Sequence, residues 1–148
     1  MATITVSAWY PASPRELWEG LRHIDRHVTW MTDAVSITFV SDQREGVGTS
    51  FRCTTKIGPF VTEDLMTITQ WEEASAMGVT HRGLITGHGT FVLKKRRDGA
   101  EITWREQLEF PWWMLGPLGA SLAKPVLRRI WTKNLRALGQ TLALRSLG

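Results

Sequence analysis

Between residues 101 and 142 the spacing of apolar side chains changes from two to about 3.6. In the first part Ile102, Trp104, Leu108 and Phe110 alternate with Thr103, Arg105, Gln107 and Glu109, which describes a strand with one apolar side. Glu106 is the exception on that side. After residue 116, Leu127, Trp131, Leu135, Leu138 and Leu142 advance by four, four, three and four, while Lys124, Arg128, Thr132, Arg136 and Gln140 hold another face. Neither a one-sided strand nor a one-sided helix is stable alone in water. The pair predicts an α+β chain whose long C-terminal helix covers a sheet.

The rest of the chain supplies that sheet. Residues 3–10, "TITVSAWY", read as a strand. Ser13-Pro14-Arg15-Glu16 then gives an N-cap, a first-turn proline and a capping-box glutamate, starting a short helix that runs to about Leu21. "HIDRHVTWM" reads as a second short helix ending near Trp30. From Val35 six strand-length runs follow: "VSITFVS", "TSFRCTTKI", "FVTEDLMTITQW", "AMGVTHRG", "GTFVLKKR" and "AEITWREQLEF". Gly58-Pro59 marks one tight turn and Asp98-Gly99 a two-residue hairpin. Strands joined by short turns pair antiparallel. Pro125 would lose its bond to residue 121, so a kink there or a fresh helix from about Lys124 is expected.

At 148 residues, 43% apolar and 22% charged, the chain is read as a single domain, 1–148, with a real core. The segment "EFPWWMLGPLGASLA" carries no charge between Glu109 and Lys124, but it is shorter than the roughly 18 residues a bilayer span needs. Pro111, Gly116, Pro117 and Gly119 also interrupt it, which excludes a membrane anchor. The lone cysteine, Cys53, has no internal disulfide partner, and "MATITVSAWYPASPRE" lacks a signal-peptide pattern, so a cytoplasmic location is expected.

The net charge of +4 is unevenly distributed. Every acidic residue lies at or before Glu109, whereas Lys124, Arg128, Arg129, Lys133, Arg136 and Arg145 follow it. Such a basic helix face is either solvation alone or a surface for transient contact with an anionic membrane. No groove-reading motif accompanies it, so nucleic acid is not expected as a partner.

Several residues carry candidate chemistry. His23 and His27 are spaced to share a helix face, but no further ligands converge on them, and they are read as surface or helix-end histidines. If Met77, Val79 and His81 point inward, His81 can meet Glu106 from another strand and orient a polar ligand head or act with it as general acid and base; the plainer readings are a satisfied core hydrogen bond or an exposed strand-end histidine. Asp64 shares parity with Met66 and Ile68, yet exposure is expected for it. Gly87-His88-Gly89 lacks the length of a phosphate loop and leads into a strand. Cys53 lies on the face of Phe51 and is expected to be buried and inert. No metal site, cofactor or catalytic residue is assigned.

This layout of one strand, two short helices, six strands and a long helix resembles the helix-grip fold of the START-like or SRPBCC superfamily. That superfamily includes polyketide cyclases, the birch-pollen-allergen type and coenzyme Q-binding proteins. "SPRELWEGLRHIDRHVTWM" resembles its first helices, "EGVGTSFRCTTKI" its third strand, "DGAEITWREQLEF" its last hairpin and "LRALGQTLA" its closing helical turns. The resemblance implies a seven-stranded curved antiparallel sheet wrapped around the C-terminal helix, with a cavity between them for a hydrophobic ligand. On that basis the expected lining is Phe51, Met66, Ile68, Val79, Phe91, Leu93, Trp104 and Leu108 from the sheet and Leu118, Leu122 and Val126 from the helix. His81 and Glu106 supply the polar contacts, and Trp112, Trp113 and Leu115 form the rim. The expected function is binding or transport of a lipid, quinone, polyketide or isoprenoid. A cyclase or aromatase using the same cavity is the alternative, and a surface interaction module a third.

Overall fold

The first strand of the chain pairs with the last. In the computed structural model, which describes residues 2–147 and side chains as far as Ala143, β1 (Ala2–Tyr10) runs antiparallel to β7 (Gly99–Glu109). Next to β7 come β6 (Thr86–Arg96), β5 (Ala76–Arg82), β4 (Phe60–Glu72), β3 (Ser50–Ile57) and β2 (Ala34–Phe39). All pairs are antiparallel, in the order β1-β7-β6-β5-β4-β3-β2. Direct connections, the longest of them residues 40–49, join β2 through β7. Only the passage from β1 to β2 must cross from one sheet edge to the other, and the two short helical segments make it.

The first of these, α1 (Pro14–Arg22), starts as its sequence dictates. The Ser13 hydroxyl accepts the Glu16 amide at 3.2 Å and also meets the Glu16 carboxylate, satisfying donors that a helix start leaves open. The second, Ile24–Thr29, is a 3₁₀ turn. Its repeat of three places Ile24, His27 and Trp30 on one buried face. Within β4 the register shifts between Ile68 and Gln70, so Thr69 is an extra residue. A bulge of this kind bends its strand, and the sheet is curved.

The last hairpin differs from its sequence signal by one residue. Arg96 pairs with Gly99, so the loop is Arg97-Asp98, with Arg97 in the left-handed conformation at φ 57°. Of the two outcomes expected at Pro125, a kink or a fresh helix, the fresh start does not occur: the closing helix, α2 (Gly116–Leu147), is continuous through that residue. Ser121 and Pro125 are both exposed, so the carbonyl that lacks its donor lies on the water-facing side. Among the described residues no helix is long and apolar enough to cross a membrane.

Polar contacts at three residues of α2, Trp131, Asn134 and Leu135, fix it over the sheet. The Tyr10 hydroxyl donates to the Leu135 carbonyl at 2.6 Å. The fully buried Asn134 accepts the Thr32 amide at 2.9 Å and donates to Asp33 at 2.7 Å, and Trp131 donates to the other Asp33 oxygen at 3.4 Å. Leu127, Trp131, Leu135 and Leu138 pack into the same core as Ile4, Val6, Ile102 and Trp104. That end of the molecule is solid.

Candidate functional site

Alternation along the strands determines what faces the helix. Phe51, Cys53, Thr55 and Ile57 of β3, Asp64, Met66 and Ile68 of β4, Met77, Val79 and His81 of β5, and Trp104, Glu106 and Leu108 of β7 all line one cavity of about 410 Å³. Phe91 of β6, Val126 and Trp131 of α2, and Ile24 and His27 of the 3₁₀ turn complete much of its wall. The lining is overwhelmingly apolar. Phe60, Val61, Leu84 and Val126 line the cavity and are also exposed, so they mark its mouth.

At one side of this wall lies a buried polar pair. His81 Nε2 and Glu106 Oε2 are 2.9 Å apart, and Trp104 Nε1 donates to Glu106 Oε1 at 3.0 Å. Their strands are not neighbours, because β6 runs between them. Gly87 lies opposite His81 and Gly89 opposite Glu106. A Cβ on Gly89 would stand 2.2 Å from Glu106 Oε1, and one on Gly87 would stand 3.1 Å from the His81 ring. The Gly-His-Gly run therefore clears a bare strip of β6 across which the two side chains meet.

The charges of this pair are set by burial and by one another. Burial opposes the His81 cation, but the hydrogen bond and charge of Glu106, the charge of Asp64 and the Ile85 carbonyl outweigh it and hold the imidazole pKa above its usual value. Asp64 is half-buried and not exposed as its sequence context suggests. Burial raises its pKa against the opposing charge of His81, and its Oδ1 is buried without a hydrogen-bond partner. Burial pushes the Cys53 thiol up to about 11, which keeps it protonated at neutral pH and a poor nucleophile.

His27 overturns its sequence reading. It is 6% exposed, and its Nε2 lies 2.7 Å from the Leu21 carbonyl. Burial lowers its pKa to about 4, so the ring is neutral, Nε2 carries the proton toward Leu21, and Nδ1 is left as an acceptor. The legible signal was the three-residue repeat Ile24, His27, Trp30. The Asp33–Asn134 clasp and the mouth residues Phe60, Val61 and Leu84 were also missed.

Six expected positions lie elsewhere. Leu93 keeps the inward parity of Phe91 but sits farther along β6, in the solid core on the end of that strand toward α1. Leu118 and Leu122 point to solvent, because the inward face of α2 runs through Ala120, Ala123 and Leu127. Trp112, Trp113 and Leu115 are exposed beyond the cavity wall, and Phe110 and Met114 take the lining positions in that segment. The αL conformation of Leu115, at φ 66°, ends the 3₁₀ turn Trp112–Met114 before α2 begins.

No protein-family model matches the chain, and no curated protein matches it. Solved structures do. The protein TTHA0849 from Thermus thermophilus superposes with a TM-score of 0.85 at 15% identity, covering 98% of this chain and 99% of that one. The Zhui aromatase/cyclase from Streptomyces sp. R1128 gives 0.77 at 12%, covering 98% and 95%. Ara h 8.0201 gives 0.72 at 16%, covering 96% and 97%. A curved seven-stranded sheet closed over a long C-terminal helix, shared across nearly the full length of each, establishes that the chain has the helix-grip, START-like fold.

Proposed function

We propose that the chain binds and carries a hydrophobic small molecule bearing one polar group. The single observation behind this reading is the apolar cavity of about 410 Å³, open at one end and lined on its wall by a small polar cluster. Binding sites for small ligands have this composition: extensive apolar wall for affinity and a few placed polar atoms for orientation. Among the lining groups, His27 Nδ1 is left as an acceptor by the Leu21 bond and Asp64 Oδ1 has no hydrogen-bond partner, so both have capacity to spare. Native mass spectrometry of freshly purified protein, followed by displacement of an apolar fluorescent probe, tests it. Saturable one-to-one uptake is expected; a probe that never enters ends the proposal.

A cyclase reading has one observation in its favour. His81 and Glu106 are buried within 2.9 Å of each other, inside the range for direct proton transfer. Glu106 would take a proton from a carbon flanked by carbonyls while His81 protonates the second carbonyl oxygen as the carbanion bonds to its carbon; His81 would then take the remaining α-proton as Glu106 returns its own to the new hydroxyl, which leaves as water. A soluble poly-β-ketone mimic should then give an aromatic chromophore with the native protein and none with Glu106→Gln. Binding of the mimic without any change in absorbance rejects the enzyme.

A further inference from the structure

We propose that the outward face of α2, together with Trp112 and Trp113, is a docking face for a bilayer surface containing anionic lipid. The evidence is a second stripe on the helix. Leu118, Leu122, Val126, Arg129, Lys133 and Arg136 advance by four, four, three, four and three, so they lie on one line along the helix. That line is opposite the buried one through Leu127, Trp131 and Leu138. Its first three members are 60%, 65% and 53% exposed, and its last three are exposed cations.

A water-facing helix surface is ordinarily polar throughout. Here its first half is apolar, and the segment preceding it exposes Trp112 at 86% and Trp113 at 58%. Tryptophans at the edge of an apolar patch, with cations alongside, match the layering of a membrane surface, where an apolar interior lies beneath anionic headgroups. None of the three cations forms an ion pair among the described residues, and the chain has no acid after Glu109.

Charge also decides against a second copy of this chain on the face. Parallel packing of two stripes would set cations on cations, and antiparallel packing would set cations on leucines. Neither supplies a counter-charge, whereas an anionic bilayer supplies both the charge and the apolar layer. Val126 belongs to this stripe and to the cavity wall, so docking brings the mouth to the lipid. The docking proposal does not require the carrier reading: vesicle binding without ligand uptake would leave the face standing and remove the carrier.

The test is cosedimentation of the full chain with vesicles of phosphatidylcholine alone and of an equal mixture with phosphatidylglycerol, at low and high salt. Binding to the mixed vesicles, a blue shift of tryptophan emission and weakening by salt are expected. Reversing Arg129, Lys133 and Arg136 to Glu together should reduce affinity for mixed vesicles by about a hundredfold or more. Leu118→Glu with Leu122→Glu should abolish binding while circular dichroism stays unchanged, because both side chains are already in water. Three results overturn the proposal: no binding to mixed vesicles at low salt, binding indifferent to the leucine pair, or a solution dimer that the leucine pair breaks.

Discussion

The two halves of α2 are built in opposite senses. From Leu127 onward the large residues Trp131, Leu135 and Leu138 face the sheet and the cations face water. From Gly116 to Val126 the inward positions hold Ala120 and Ala123, while Leu118 and Leu122 face out and Val126 stands at the cavity mouth, partly exposed. One continuous rod thus fills the space beneath it at one end and leaves it vacant at the other. The cavity is the volume that the small inward residues do not occupy, and the exposed leucines are the same inversion seen from outside.

The largest expected effect comes from attacking the filled half. Trp131 stacks on Trp104 with ring centroids 5.0 Å apart and donates to Asp33. Trp104 in turn meets Phe91 at 4.9 Å and Trp30 at 6.4 Å, an aromatic cluster that closes the inner end of the cavity. Trp131→Ala should lower the unfolding free energy by about 3–5 kcal/mol in urea titrations. Leu122→Ala, in the other half, should change it by no more than about 0.5 kcal/mol. Equal losses at the two sites would erase the distinction.

Next in size is a proton effect at the closed end. His27 has a folded-state pKa of about 4 against its ordinary 6.5. As pH falls through that window the unfolded chain takes up a proton that the native chain refuses, so stability is present above 6.5 and declines below it. The loss approaches about 3 kcal/mol near pH 4. His81 has the opposite sign: its pKa is raised, so its contribution is complete below 6.5 and disappears as pH rises through its folded-state pKa. Unfolding curves of His27→Gln, which can still donate to the Leu21 carbonyl, should show a flattened acid limb. An unchanged limb would assign acid sensitivity to another group.

Much of this architecture was legible because strand parity is a rigid code. Once Phe51 faces inward, Cys53, Thr55 and Ile57 must follow, and the same logic brought His81 and Glu106 to one wall from positions 25 residues apart. Helical phase was less secure where it mattered. In 116–126 the only charge is Lys124, so no polar face marks the outside, and the inward placement that the resemblance implies for Leu118 and Leu122 has no helical phase behind it. Continuing the spacing backward from Trp131 and Leu127 leads to Ala123 and Ala120. His27 was missed for a related reason, since a 3₁₀ repeat of three hides it from a search at the α-helical period.

The smallest stability effect and the sharpest functional one should coincide at Ala123. This side chain lines the cavity from the underfilled half of α2, next to Val126 and Leu127. Ala123→Leu adds three carbons into existing space, so the overpacking cost that follows such a change in a filled core, about 1–3 kcal/mol, should be largely absent. The helix gains no strain, because leucine is nearly as good a helix former as alanine. The added volume instead competes with the ligand, and probe affinity should fall at least tenfold while the urea midpoint moves little. Loss of stability with undiminished affinity would mean that Ala123 already touches the sheet and that the vacancy lies elsewhere. Retained stability with lost affinity would locate the binding volume under the first half of the helix, where the inward residues are small.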